Sequence, residues 1–243
     1  MRIRVKFTVR KKCFPKDYRP ALLSFLKKSL ELYDKSLLER FYGRRDPIMK
    51  KFTMAIFFQQ PVYKEDVIEL GGDEVQLTIS SASPKELLML STVLLNAKNK
   101  NVELPLAGGN SLAIKGLVTL RQADVEDESI IVKFASPLVL REHDRERNKD
   151  RYITVEDDDF AEYFKKIVFN ELEMLGYGGY LAKNLSIEPL KARKIFVKAF
   201  DMNVDVSIGM FKLSGSREAL QLLHDAGAGS RRSQGFGLFN IVY

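Results

Sequence analysis

Apolar residues alternate with basic and polar ones through Ile3, Val5, Phe7 and Val9, a period of two that predicts a strand with one buried face. The period then changes. Leu22, Leu23, Leu26, Leu30, Tyr33, Leu37 and Phe41 recur at spacings of three and four, which predicts one long amphipathic helix opened by Pro20. Residues 52–58 and 75–81 read as strands. Ser83-Pro84-Lys85-Glu86 has the form of a helix start, with proline at the first helical position. That helix follows Leu87, Leu88, Leu90, Leu94 and Leu95 to Ala97, and residues 113–120 close the half as a strand.

The second half repeats the order less cleanly. Residues 130–140 read as a strand interrupted at Ser136-Pro137. Phe160, Phe164, Ile167, Val168, Leu172 and Leu175 mark a second long helix. Strands follow over 194–200 and 204–213, then a short helix over 216–226 and a last strand over 238–242. Each half reads β-α-β-β-α-β, the ferredoxin-like pattern. The expected fold is therefore α+β, with two tandem ferredoxin-like domains, 1–124 and 125–243, meeting near the acidic stretch 124–128. No residue-level repeat is visible between them.

Composition narrows the function. Hydrophobic residues make up 45% of the 243, enough for full cores. No run of eighteen apolar residues exists to cross a membrane, and the N-terminus has no secretory apolar segment. Cys13 stands alone, which excludes an internal disulfide, argues against a cysteine metal site and fits a reducing cytoplasm. The net charge is +7, and it is placed rather than spread. Over 40–51, Arg40, Arg44, Arg45, Lys50 and Lys51 face Asp46 alone, five against one, a local +4. Over 227–243, Arg231 and Arg232 meet no acid, so the two segments hold +6 together. A polyanionic partner is expected.

The loop 227–237, Gly-Ala-Gly-Ser-Arg-Arg-Ser-Gln-Gly-Phe-Gly, is the chain's most distinctive motif. It is not a Walker A loop, because Phe236 follows Gly235 where lysine is required. It is not a dinucleotide fingerprint either, since it follows a helix and leads into a strand. Gly227 suits a helix C-cap, which leaves Gly229, Gly235, Gly237 and the arginine pair to explain. Bare backbone admits a large polyanion and arginine forks match phosphate oxygens, so the loop points to RNA.

Gly-x-Gly, five residues, then Gly-Phe-Gly near the C-terminus resembles the signature of the CRISPR-associated RAMP superfamily, and within it the Cas6 repeat-processing endoribonucleases. The segment Ser-Pro-Leu-Val-Leu-Arg-Glu over 136–142 and the two ferredoxin-like units agree with this. The resemblance implies that the partner is CRISPR repeat RNA, the precursor of crRNA, and that no metal or other cofactor is needed. A ribose 2′-hydroxyl attacks the adjacent phosphate, leaving a 2′,3′-cyclic phosphate and a 5′-hydroxyl. It also implies that the acting residues follow the first long helix, often a histidine and a tyrosine with a lysine nearby. The matching segment holds Tyr42, Arg44, Arg45, Lys50 and Lys51 as catalytic candidates, and no histidine. RNA-binding candidates are Gly227, Gly229, Arg231, Arg232, Gly235, Phe236 and Gly237, with Lys191, Arg193 and Lys194 as weaker ones.

Near neutral pH tyrosine, lysine and arginine keep their protons, so they serve as acids and clamps and are poor bases. The missing histidine therefore leaves a second expectation open: a non-catalytic RAMP protein that binds repeat RNA or sits in an effector complex. A basic RNA-binding protein unrelated to CRISPR is a third, and association with a second copy of the chain is left open. His224 reads as an ordinary surface or core histidine, and His143 as part of a near-neutral solvated run. Glu156, Asp157, Asp158 and Asp159 read as a helix start rather than a metal site. Tyr177 and Tyr180 fall in a helix-ending loop.

Overall fold

The computed structural model describes residues 1–43, 49–144, 146 and 149–242. The alternation at the N-terminus becomes β1 (Arg2–Val9), with Ile3, Val5, Phe7 and Val9 buried. β2 (Cys13–Pro15) and α1 (Arg19–Tyr33) follow. The single long helix expected from spacing is two. At Asp34 the backbone turns extended (φ −161°, ψ 117°), and its carboxylate accepts from the Ser36 N–H at 2.8 Å to start α2 (Lys35–Tyr42). An Asp side chain competes in this way with the helix ladder. Then come β3 (Phe52–Phe58), β4 (Val62–Tyr63), β5 (Val67–Glu69), β6 (Glu74–Ser81), α3 (Pro84–Asn99), β7 (Glu103–Leu106) and β8 (Asn110–Leu120). β2, β5 and β4 form a small side sheet that the pattern did not reveal.

The second half contains β9 (Ser129–Phe134), β10 (Leu140–Asp144), β11 (Lys149–Ile153), α4 (Phe160–Met174), β12 (Ser186–Ala199), β13 (Met202–Ser214), α5 (Arg217–Ala226) and β14 (Phe239–Ile241). The expected strand over 130–140 ends at Phe134, and Leu138 makes only an isolated bridge to Ser207. The charged run around His143, expected to be a solvated loop, is the β10–β11 hairpin.

Both main sheets are antiparallel and wound alike: β3-β6-β1-β8 with β7 added at the edge, and β12-β13-β9-β14. In each, the first strand lies between the third and fourth, as ferredoxin-like connections require. The fold is α+β with two such units. Each has its own apolar core, one drawn from residues between Ile3 and Leu112, the other from residues between Ile130 and Phe239.

Buried polar bonds join the halves. The Arg2 guanidinium on β1 donates to Asn240 Oδ1 at 2.6 Å, to the carbonyls of Phe239 at 2.6 Å and His224 at 3.0 Å, and to Ser80 Oγ at 3.2 Å. Burial pulls its pKa down to about 10, so it remains charged at neutral pH. Ser80 Oγ donates to the Asp225 carbonyl at 2.7 Å and Thr53 Oγ1 to the Phe236 carbonyl at 2.7 Å.

Candidate nucleic-acid interface

The glycine loop is packed into this junction. α5 ends where the Gly227 N–H meets the Leu223 carbonyl, with Gly227 at φ 81°. A Cβ there would lie 2.6 Å from Thr53 Cβ, and one on Gly237 (φ 75°) would collide with the Ala228 carbonyl. These two glycines let β3 and the loop's own backbone come close. The loop closes through Ala228 N–H to Gly237 O (2.9 Å), and it docks on the 136–140 segment through Ser230 N–H to Val139 O (2.7 Å) and Gly237 N–H to Pro137 O (2.9 Å). The Gly229 N–H acts to lower the Glu171 pKa, against the larger effect of burial. Gly235 gives its carbonyl to Arg19, whose guanidinium covers the Phe236 ring at 4.0 Å.

Two loop side chains expected to face RNA are therefore in the interior. Phe236 is fully buried, and Arg232 is only 5% exposed. Arg232 donates to the Ala226 carbonyl at 3.1 Å and lies 3.9 Å from Glu171, whose carboxyl is pushed up to about 7 by burial despite that arginine. Arg231 lies against the β10–β11 hairpin, 3.4 Å from Asp150 and over the Tyr152 ring at 5.5 Å. The arginine pair is used by the protein itself, because a buried guanidinium needs partners.

The other basic segment behaves differently. Arg44 and Arg45 lie outside the described residues. Lys50 Nζ sits 4.5 Å above the Tyr42 ring, with Lys27 of α1 on the same ring at 5.0 Å. Lys51 Nζ sits 4.6 Å above Tyr177, whose hydroxyl donates to the Ala82 carbonyl at 3.4 Å. Among the described residues, neither Lys50 nor Lys51 pairs with a carboxylate. Glu86 joins the group by accepting from the Lys51 N–H at 3.2 Å. Burial lowers the Lys50 pKa, opposed by Glu86 and assisted by Lys27. Burial raises the Tyr42 phenol, with Glu86 adding to the effect, so this tyrosine is a reluctant proton donor.

β3 leads from Lys51 to a cleft of about 620 Å³ between the two main sheets. Arg2, Arg4, Phe57, Gln76 and Thr78 line it from one side, and Lys133, Phe134 and Asn240 from the other. The strand register makes the rows. Phe57, Gln76 and Lys6 lie across one line of the first sheet, and Ala55, Thr78 and Arg4 across the next. In the second sheet Lys191, Met210, Lys133 and Asn240 form one line. Phe57 is 61% exposed, and the ion pairs among the described residues include none of Arg4, Lys133 and Lys191. Arg193 is exposed on β12, whereas Lys194 is paired with Asp205 at 3.0 Å.

The histidines are occupied. His224 is buried, stacks on Phe239 with centroids 5.7 Å apart, and is pulled down to about 4 by burial with Arg2 beside it. His143 contacts Asp150 at 2.8 Å. Asp157 accepts from both the Thr154 N–H (2.7 Å) and hydroxyl (3.0 Å), which accounts for part of the acidic run before α4. Sequence reasoning did not place Glu86, Lys27, Phe57, Arg4 or Lys133 in the candidate interface. Only the alternation in β1, which puts Arg4 and Lys6 opposite the buried face, carried a signal for any of them.

Comparison with known families finds that residues 120–241 match the profile described as CRISPR associated protein Cas6, C-terminal. Among solved structures, the chain is similar to one described as a Cas6-related gene from Pyrococcus furiosus, at 18% identity and a TM-score of 0.84 over 100% of this chain and 98% of that one. It is similar to an RAMP protein at 19% identity and a TM-score of 0.84, with 100% of both chains covered. A third, a CRISPR associated protein Cas6, matches at 20% identity and a TM-score of 0.78 over 100% and 99%. These identities establish likeness of fold. Comparison with curated protein sequences finds no significant match.

Proposed function

The chain belongs to the Cas6 family of CRISPR-associated proteins, and on that premise we propose that it binds CRISPR repeat RNA across the cleft and cuts it once beside Lys50 and Lys51. The observation that carries this reading is the state of those two ammonium groups, which rest on tyrosine rings without a carboxylate partner among the described residues. A phosphate offers them charge-assisted hydrogen bonds that a ring cannot. From Lys51 to Phe57 β3 extends about 20 Å, so one RNA strand reaches both the lysines and the cleft. Phe57 is a stacking surface for an unpaired base, and Arg4, Lys133 and Lys191 are contacts for the backbone.

In the cut, the 2′-oxygen bonds to phosphorus and the bond from phosphorus to the 5′-oxygen breaks. Lys50 and Lys51 stabilise the added negative charge. The leaving oxygen takes a proton from an ammonium group, for which the lowered pKa suits Lys50. Tyr42, with its raised pKa, holds Lys27 and Lys50 in place rather than giving up its proton. No residue in this scheme requires a metal. Two similar structures are described as an RAMP protein binding different RNA substrates and as a Cas6 product complex, which supports the class of ligand.

A second reading, retention of repeat RNA without cleavage, alone or within an effector complex, is favoured by one observation. Both histidines are engaged in their own contacts, His224 in the core and His143 on Asp150. End-labelled repeat RNA incubated in EDTA separates the two. Cleavage predicts one cut with a cyclic phosphate end, abolished by a single 2′-deoxy at the cut. Tight repeat-selective binding without a cut assigns the retention role, and binding indifferent to sequence overturns both.

A further inference from the structure

Cleavage needs an acceptor for the 2′-hydroxyl proton, and both histidines are engaged elsewhere. Glu86 occupies the third position of α3 after the cap residue Ser83. A carboxylate at that position ordinarily turns back to the cap residue's own N–H. Here the Ser83 N–H goes to Ser81 Oγ at 3.0 Å, and Glu86 Oε2 reaches the Lys51 N–H instead. Its other oxygen, Oε1, is closed off from water and has no hydrogen-bond partner among the described residues. A buried carboxylate oxygen without a donor is costly, and its presence beside two ammonium groups that rest on tyrosine rings points to a donor that arrives with the ligand.

Resting on the reading of Lys50 and Lys51 as the phosphate site, we propose that Glu86 accepts the hydrogen bond, and in the cut the proton, of the ribose 2′-hydroxyl beside the phosphate they hold. The O–H bond breaks toward Glu86 Oε1, the 2′-oxygen bonds to phosphorus, and the 5′-oxygen leaves with a proton from Lys50. When the phosphate draws the two ammonium groups onto itself, the carboxylate is exposed to the same nucleotide. Tyr42 of α2, Lys50 and Lys51 before β3, Tyr177 after α4 and Arg232 of the glycine loop all lie within electrostatic reach of Glu86. Burial raises its pKa, offset in part by Lys51, Lys50 and Arg232, which makes it a better-matched base than a solvated glutamate.

The test is a scan of single 2′-deoxy substitutions through the repeat, read as binding to the wild type and to Glu86→Ala. At one linkage the deoxy substitution is expected to weaken the wild type about tenfold and the alanine variant less than about twofold. Equal penalties in both proteins at every linkage overturn the proposal. If the wild type cleaves, Glu86→Gln, which keeps the shape, is expected to slow the cut at least about a hundredfold and to remove the acid limb of the pH–rate profile. A Gln variant with wild-type rate and profile overturns it too. Failure of the wild type to bind repeat RNA is a different result, and it removes the phosphate site along with the proposal.

Discussion

In the loop 227–237 both arginines end on protein groups, Arg232 on the Ala226 carbonyl and near Glu171, Arg231 beside Asp150. In the segment before β3, Lys50 and Lys51 end on the faces of Tyr42 and Tyr177. The two stretches look alike as basic sequence, yet only one keeps charge available for a ligand. A guanidinium held by carbonyl and carboxylate oxygens must break those bonds to reach phosphate. An ammonium on a ring forfeits about 0.5–2 kcal/mol on leaving it and gains a stronger bond. Basic residues therefore report a polyanion site only when the fold has not already used them.

Substitutions in the glycine loop should act on stability first. Gly237→Ala has the largest expected effect, a loss of about 3 kcal/mol or more in urea unfolding, because the new Cβ meets the Ala228 carbonyl at positive φ. Arg232→Ala should cost about 1–3 kcal/mol, because it removes a buried guanidinium and leaves the Ala226 carbonyl without its donor. If either variant kept wild-type stability and lost only RNA binding, the contrast between the segments would fail.

The junction also carries a pH signature. His224 titrates near 4 in the fold against an ordinary 6.5, so its contribution is present above 6.5 and is lost as pH falls toward 4. Glu171 titrates near 7 against an ordinary 4.5, so its contribution is present below 4.5 and is lost as pH rises through 7. Each slope amounts to about 3 kcal/mol, and they oppose one another. His224→Gln removes the rising slope, and stability measured from pH 4.5 to 7 should then fall as pH rises. An unchanged profile would mean that His224 is solvated rather than buried. On the ligand side the effects are smaller: Phe57→Ala should weaken RNA binding by about 1–3 kcal/mol with unfolding free energy nearly unchanged.

Much of the architecture is legible in the sequence. Period-two and period-3.6 runs marked β1, β3, β6, α3, α4 and α5, and their order specified the ferredoxin-like winding of both sheets. Asp34 was not legible as a break, because the apolar spacing continues across it while its side chain caps a new helix. The β10–β11 hairpin was hidden by charge, since Arg141, His143 and Asp150 support one another across a mostly exposed ribbon. The candidate site was legible only in part. Lys50 and Lys51 stood out by charge. Glu86 looked like an ordinary capping residue, and its turn toward Lys51 depends on Ser81 taking over the Ser83 N–H. Arg232 looked available, because burial by Glu171 and Ala226 is a tertiary fact with no local pattern.

The contrast between the two basic segments is tested most directly by the salt dependence of repeat-RNA affinity in three proteins: the wild type, Lys50→Ala with Lys51→Ala, and Arg231→Ala. Removing two ammonium–phosphate pairs on a single strand should make the slope of log affinity against log salt shallower by about 1.4 in the double-lysine variant. Arg231→Ala should keep the wild-type slope. A shallower slope in Arg231→Ala, with the lysine variant unchanged, would place the phosphate site in the glycine loop and contradict the account.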